Sequence, residues 1–363
     1  MRTAFRGLRG LGYWGVVGAI SLAATACASS PPPPPSSAVV PSPSTVTPHL
    51  TAPHIVATYA LPDTRGSAAM AAGEGSLWVA FQGGPTPGPT NGEMFQINPT
   101  TGQAVRSWPV GNDPVALAVM GSSVWVANST GGESAPDPDA NSILQFAVDG
   151  AGLINHYSVP GLQGIVAAVT NPWVVAQPPG QDSTDVIRLT STALTHLATL
   201  PGIPSAGITW EGAAACGGSV YVASVLDTQG SDVHIARLLT GGTAAATWTF
   251  GPGTAALTCA GTEAVAAVAN PESGGFHLLS GSESSATSPF GPRTASSIVS
   301  LGAQIWAVVP GVSFSYVTAF DYKTREPAPG VGQTMRVGDA RLITAAGGYL
   351  WVASSTELYK IEP

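Results

Sequence analysis

Short apolar runs of Val, Ala, Leu, Ile and Trp, separated by Gly, Pro, Asn and Asp, follow one another from residue 54 to the last residue. One run repeats with little change. Leu77-Trp78-Val79-Ala80 returns as Val124-Trp125-Val126-Ala127, Trp173-Val174-Val175-Ala176 and Val220-Tyr221-Val222-Ala223. It returns again as Ala264-Val265-Ala266-Ala267, Ile305-Trp306-Ala307-Val308 and Leu350-Trp351-Val352-Ala353. The position of Trp78 thus recurs at 125, 173, 221, 265, 306 and 351, at intervals of 47, 48, 48, 44, 41 and 45. A period of this length, filled with short β-type runs and not with helical stripes, predicts seven four-stranded antiparallel blades of a β-propeller.

Turn residues divide each unit into strands. In the second unit the expected strands are Val115 to Val119, Val124 to Asn128, Ile143 to Val148 and Ile154 to Val159. In the first, Met94 to Ile97 is the third strand, and Asn98-Pro99-Thr100-Thr101-Gly102 turns the chain into Ala104 to Val110. This phrase, with Val110-Gly111-Asn112-Asp113-Pro114 leading into the next unit, resembles the YVTN-type and streptogramin-lyase-like repeats of bacterial seven-bladed propellers. The resemblance covers nearly all of residues 54–363 and implies the fold, while leaving activity open. The last unit stops at Leu358-Tyr359-Lys360-Ile361, a third strand with no fourth after it. His54 to Leu61 reads as a strand with no inner partner before it, so pairing the two would close the ring and remove two open sheet edges.

Composition narrows the function classes. Only 9% of residues are charged and 44% are hydrophobic, which excludes a disordered chain, a coiled coil and a basic nucleic-acid binder. The net charge is −8, with 13 Lys+Arg against 21 Asp+Glu. Three of the bases, Arg2, Arg6 and Arg9, precede the apolar stretch Leu11 to Ala26, in the order of an export signal. That stretch is shorter than the ~20 residues of a membrane-spanning helix. Two processing routes fit. Leu22-Ala23-Ala24-Thr25-Ala26-Cys27 resembles a bacterial lipobox, with Ala24 where leucine is usual, and would make Cys27 the acylated first residue of the mature chain. Ala24-Thr25-Ala26 also suits ordinary signal peptidase, which would leave Cys27 free. The Pro/Ser/Thr-rich segment up to Pro53 favours the lipid, since a semi-rigid spacer of up to ~80 Å serves to hold a domain away from a surface. The expected organisation is a signal peptide over 1–26, a lipidated Cys27 with linker over 27–53, and a propeller over 54–363, exported and held on the outer face of the cytoplasmic membrane or elsewhere at the envelope.

Candidate chemistry is sparse. The repeated tryptophans Trp78, Trp125, Trp173, Trp306 and Trp351 are expected between blades, whereas Trp108, Trp210 and Trp248 lie off that position and are the better candidates for ligand contact. Cys216 and Cys259 end equivalent inner strands of adjacent units, close enough for a disulfide in an oxidising compartment. HExxH, CxxC, Walker A and nucleophile-elbow patterns do not occur. His54, His156 and His196 fall in outer strands, and His234 and His277 in third strands, away from the axis. Streptogramin lyases use a histidine with a carboxylate and magnesium, and no such constellation transfers here residue by residue. What remains is one rim, where the entries to inner strands place Arg65, Asp113, Glu211, Arg293 and Asp339 beside long loops of the first four units. Glu133, Asp137 and Asp139 resemble an incomplete site for Ca²⁺ or Mg²⁺, and no other cofactor is called for. These features favour a monomeric binding or scaffold module for an envelope protein or small ligand, held at the membrane by a lipid anchor and without affinity for nucleic acid. The alternative is a lyase- or lactonase-like enzyme using funnel carboxylates and a divalent metal.

Overall fold

The computed structural model describes residues 52–363 except 62–65, 84–91, 130–138, 169, 192, 205–211, 226–231, 270–274, 281–282, 288–294, 325 and 328–334. Seven antiparallel sheets follow one another along the chain, and the inner strand of each touches the inner strands of its two neighbours all the way round. Those inner strands are Ser67–Gly73, Pro114–Met120, Leu162–Ala167, Ala213–Cys216, Thr254–Ala260, Ser297–Leu301 and Leu342–Ala346, numbered here as blades one to seven. The protein is a seven-bladed β-propeller.

The second strand of each blade is the strand with the repeated aromatic. Ser123–Asn128 of blade two is buried at every residue. Neighbouring sheets cover both of its faces, so an alternating pattern has no solvent side to record, and the strand reads as a continuous apolar run. The outer strand behaves in the opposite way: Leu153–Ser158 has no buried residue. Trp78, Trp306 and Trp351 are fully buried, and Trp125 and Trp173 nearly so. The core is accordingly a ring of apolar clusters that each join adjoining blades, as when Trp78 and Ala80 of blade one pack with Val124, Val126 and Leu144 of blade two.

Closure follows the expected route. His54–Ala60 pairs antiparallel with Glu357–Glu362 and supplies the outer strand of blade seven. Its Tyr59 stacks on Trp351 at 5.9 Å and also lies against Gly102 in the hairpin of blade one, where φ is +70° and a side chain would meet the ring. The Lys360 ammonium donates to the Pro99 carbonyl at 3.1 Å, a second tie across the same seam. Cys216 and Cys259 form a disulfide with a Cα–Cα distance of 5.4 Å, linking the inner strands of blades four and five. Two blades are less regular than the repeat predicts: Ile203–Pro204 pairs on the inner side of blade four before Ala213–Cys216, and the outer side of blade six is shared by Glu326–Pro327 and Met335–Val337.

Candidate functional site

Antiparallel order gives the disc two unlike faces. Turns from first to second and from third to fourth strand lie on one face, hereafter the tight-turn face. Loops from second to third strand, and the crossings into each inner strand, lie on the other, the loop face. The candidate rim belongs to the loop face.

Two of its five residues are described, and both carboxylates are tied to their own blade, Asp113 also to the blade before it. The Asp113 carboxylate accepts the Ser129 hydroxyl at 2.5 Å and the Gln82 amide at 3.2 Å, while the Asp113 carbonyl accepts the Ser129 N–H at 2.9 Å. Asp339 accepts the hydroxyl and N–H of Ser355 at 3.0 and 3.3 Å. Both pairs span 16 residues and join the entry of an inner strand to the residue or two past the second strand, so blades two and seven use a carboxylate in the same way. Nearby, the N–H of Gly338 donates to the buried Tyr359 hydroxyl at 3.2 Å, and that hydroxyl donates to Glu357. Burial pushes the Tyr359 phenol above its ordinary range, and the Glu357 carboxylate adds to the rise. Arg65, Glu211 and Arg293 lie outside the described residues, as do Cys27, Glu133 and Asp137. Asp139 accepts the Ser142 hydroxyl at its main-chain carbonyl, and its carboxylate lies 3.9 Å from His156 Nε2. No group of three His, Cys, Asp or Glu side chains that could hold a metal is present among the described residues.

The axis encloses a channel of about 470 Å³. Its described lining runs from Ala68 to Ala72, Val115 to Val119, Ile165 to Ala167 and on through Leu257, Ile298 and Ile343, with Met70, Thr258, Thr344 and the disulfide-bonded Cys259 as its exceptions to aliphatic side chains. Among the described residues no ionisable side chain capable of acid–base work lines it.

The histidines fall on the strands anticipated for them, and the sequence did not reveal what one of them joins. A bulge between Val186 and Ile187 in the pairing of the outer two strands of blade three brings His196 and Thr199 to the same side. The Thr199 hydroxyl donates to Asp185 at 2.7 Å, and His196 Nε2 lies 3.0 Å from that hydroxyl and 3.3 Å from Asp185. Alternation alone would have put the two on opposite faces.

Trp108 and Trp248 correct the expectation of ligand contact: both are buried, against Trp78 at 5.6 Å and Tyr221 at 6.0 Å. They occupy a second repeat position. Trp108, Tyr157, Trp248 and Tyr59 each lie in an outer strand, across the sheet from Ala80, Ala127, Ala223 and Ala353 respectively, and each packs on the aromatic two residues before that alanine. The small alanine leaves room for the ring. Trp210 lies outside the described residues.

No protein-family model matches the chain, and no curated protein matches it by sequence. Solved structures do match by shape. The β-propeller domain of Myceliophteria thermophila Cps50 (Swd1) aligns with a TM-score of 0.56 at 8% identity, covering 84% of this chain and 99% of that one. Kuenenia stuttgartiensis hydrazine synthase aligns at 0.53 and 12% identity, over 83% and 96% of the two chains, and Kluyveromyces lactis Hsv2 at 0.50 and 8%, over 80% and 90%. At such identities the likeness is one of fold, and propellers host unrelated functions.

Proposed function

We propose that the chain is an exported, lipid-anchored propeller of the YVTN-like kind that acts as a binding or scaffold module at the cell envelope. Its loop face receives a protein or small ligand, with Arg65, Asp113, Glu211, Arg293 and Asp339 at the rim. The observation that carries the reading is the largely aliphatic channel wall: recognition needs only a shaped face, whereas a reaction in the funnel would need acid–base groups that the described lining residues do not supply. Two experiments test it. Cys27→Ser should move the protein from the membrane fraction to the soluble fraction, and unchanged retention would overturn the anchor. For the rim, Asp113→Asn, Glu211→Gln and Asp339→Asn together remove three charges yet leave acceptor oxygens for Ser129 and Ser355. Crosslinking and pull-down on intact cells should then recover less of the wild-type partner while the melting temperature is preserved. Equal recovery would refute the rim as the contact.

A further inference from the structure

Among the described residues eight large aliphatic side chains stand open to solvent, and seven lie at the tight-turn end of their strands. Ile55 and Val56 open the outer strand of blade seven, Val105 that of blade one, Leu153 and Ile154 that of blade two, and Leu194 that of blade three. Leu239 closes the third strand of blade four. The eighth, Val312, stands alone on the loop face. Contacts between blades set the seven along one side of the disc as a fringe, because the outer strands of blades seven and one to three each reach the next blade's third-to-fourth hairpin. Tyr59 lies against Gly102, Arg106 donates to the Asp149 carbonyl, the Tyr157 hydroxyl donates to the Ser191 carbonyl at 3.1 Å, and Leu197 abuts Gly242. Exposed edges are ordinarily guarded by lysine or proline, yet the openings His54-Ile55-Val56-Ala57, Leu153-Ile154-Asn155-His156 and Leu194-Thr195-His196-Leu197 contain neither.

Charge divides the faces in the same sense. On the loop face Glu93, Asp113, Asp182, Asp232, Asp339 and Glu357 face only Arg336 and Arg341 among described bases, and Asp139 adds to the excess. On the tight-turn face the described acids Glu74, Asp149, Glu263, Glu283, Asp321, Glu326 and Glu362 are set against Arg106, Arg188, Arg237, Lys323 and Lys360, an acidic excess of two against five on the loop face. An anionic lipid surface therefore repels the loop face more strongly than the tight-turn face. The point of chain entry agrees: His54, which opens the first strand, pairs with Glu362 at the tight-turn end.

We infer that the fringe of blades seven and one to four rests on the lipid surface, with the acidic loop face turned away from it. The identity of the surface rests on the lipid-anchored reading above. A linker reaching up to ~80 Å allows this contact without forcing it, so the fringe supplies a second membrane signal beside the anchor.

The test attaches the protein to vesicles without using acylation. Cys27→Ser protein with a histidine tag inserted after residue 27 is bound to nickel-chelating vesicles of phosphatidylcholine and phosphatidylglycerol. An environment-sensitive fluorophore is placed at Leu153→Cys, at Leu194→Cys, or at the exposed loop-face control Asp182→Cys, with the native disulfide kept oxidised. Labels at 153 and 194 should shift to the blue on vesicles and be quenched about twofold or more strongly by brominated lipid than the label at 182. Adding Val105→Asp and Ile154→Asp, which place like charge against the anionic lipid, should remove the difference. Equal quenching at the two faces overturns the inference, as does a blue shift at 153 that needs only raised protein concentration and no vesicles, which would make the fringe a contact between copies. Failure of Cys27→Ser to release the protein from cells would instead count against the anchor and leave this result standing.

Discussion

Single residues in this protein act through their place in the repeat. Asp113 and Asp339 carry formal charges on the candidate face, and each also holds a serine 16 residues away. Lys360 is nearly buried because its ammonium lies 4.0 Å from the Tyr349 ring and bonds a carbonyl of the next blade, so its charge is not left bare. Tyr359 joins Gly338 to Glu357 in the same blade. Tyr359→Phe keeps the ring and deletes both bonds, and should cost about 1–2 kcal/mol at neutral pH. The folded-state pKa of this phenol is raised, so its contribution is complete below the unfolded value near 10 and is lost as pH rises through the folded value. The gap in stability between wild type and Tyr359→Phe should therefore narrow above pH 10. Urea titrations at neutral and alkaline pH measure both effects, and a gap that widens with pH would contradict the assignment.

At the scale of strands and blades, most of what was legible in the sequence came from the second strands. Trp78, Trp125 and Trp351 mark them because a strand covered on both faces must be apolar throughout, and the register of the other strands follows by turn spacing. Outer strands carry less information: half of their surface meets solvent, so Trp108 and Trp248 looked unattached until their partners across the sheet were seen. The His196–Thr199–Asp185 cluster was hidden for a different reason, since it depends on a bulge that alternation does not encode. Cys216 and Cys259 were readable because equivalent strand ends of neighbouring blades approach closely whatever the intervening loop does. Their bridge closes a separation of 43 residues, for which chain entropy gives up to about 4 kcal/mol,. Reduction, or Cys216→Ala with Cys259→Ala, should lower unfolding stability by about 2–4 kcal/mol and loosen the seam between blades four and five first. Hydrogen exchange with and without dithiothreitol locates the loss, and superimposable protection along Ala213–Cys216 and Thr254–Ala260 would show that the bridge adds nothing.

Over the whole molecule the chain must become a ring, and the one-strand deficit of blade seven was visible from the sequence together with the strand that fills it. What the proposed rim would bind was not, because recognition depends on loop surfaces that no repeat constrains. In blade two a short turn at Asp149 to Gly152 joins third to fourth strand; in blade seven Glu362 and His54 sit opposite each other with no covalent link. Closure there relies on the pairing of His54–Ala60 with Glu357–Glu362, on Tyr59 against Trp351, and on Leu61, which is buried and donates its N–H to Thr356. Deleting residues 54–61 exposes the edge of Glu357–Glu362, uncovers Trp351, and should cost more than about 3 kcal/mol, with concentration-dependent association through the open edge. Loss of stability alone would not show that the ring needs this pairing, since any large deletion weakens a fold. The decisive variant moves residues 54–61 to follow Glu362 through a short Asn-Gly turn, giving blade seven the hairpin its neighbours have. If pairing and not chain order closes the ring, this permuted protein should stay monomeric and melt close to the parent, while the deletion melts early and associates. A permutant as unstable as the deletion would mean that the first strand stabilises the propeller through its attachment to blade one and not through the edge it covers.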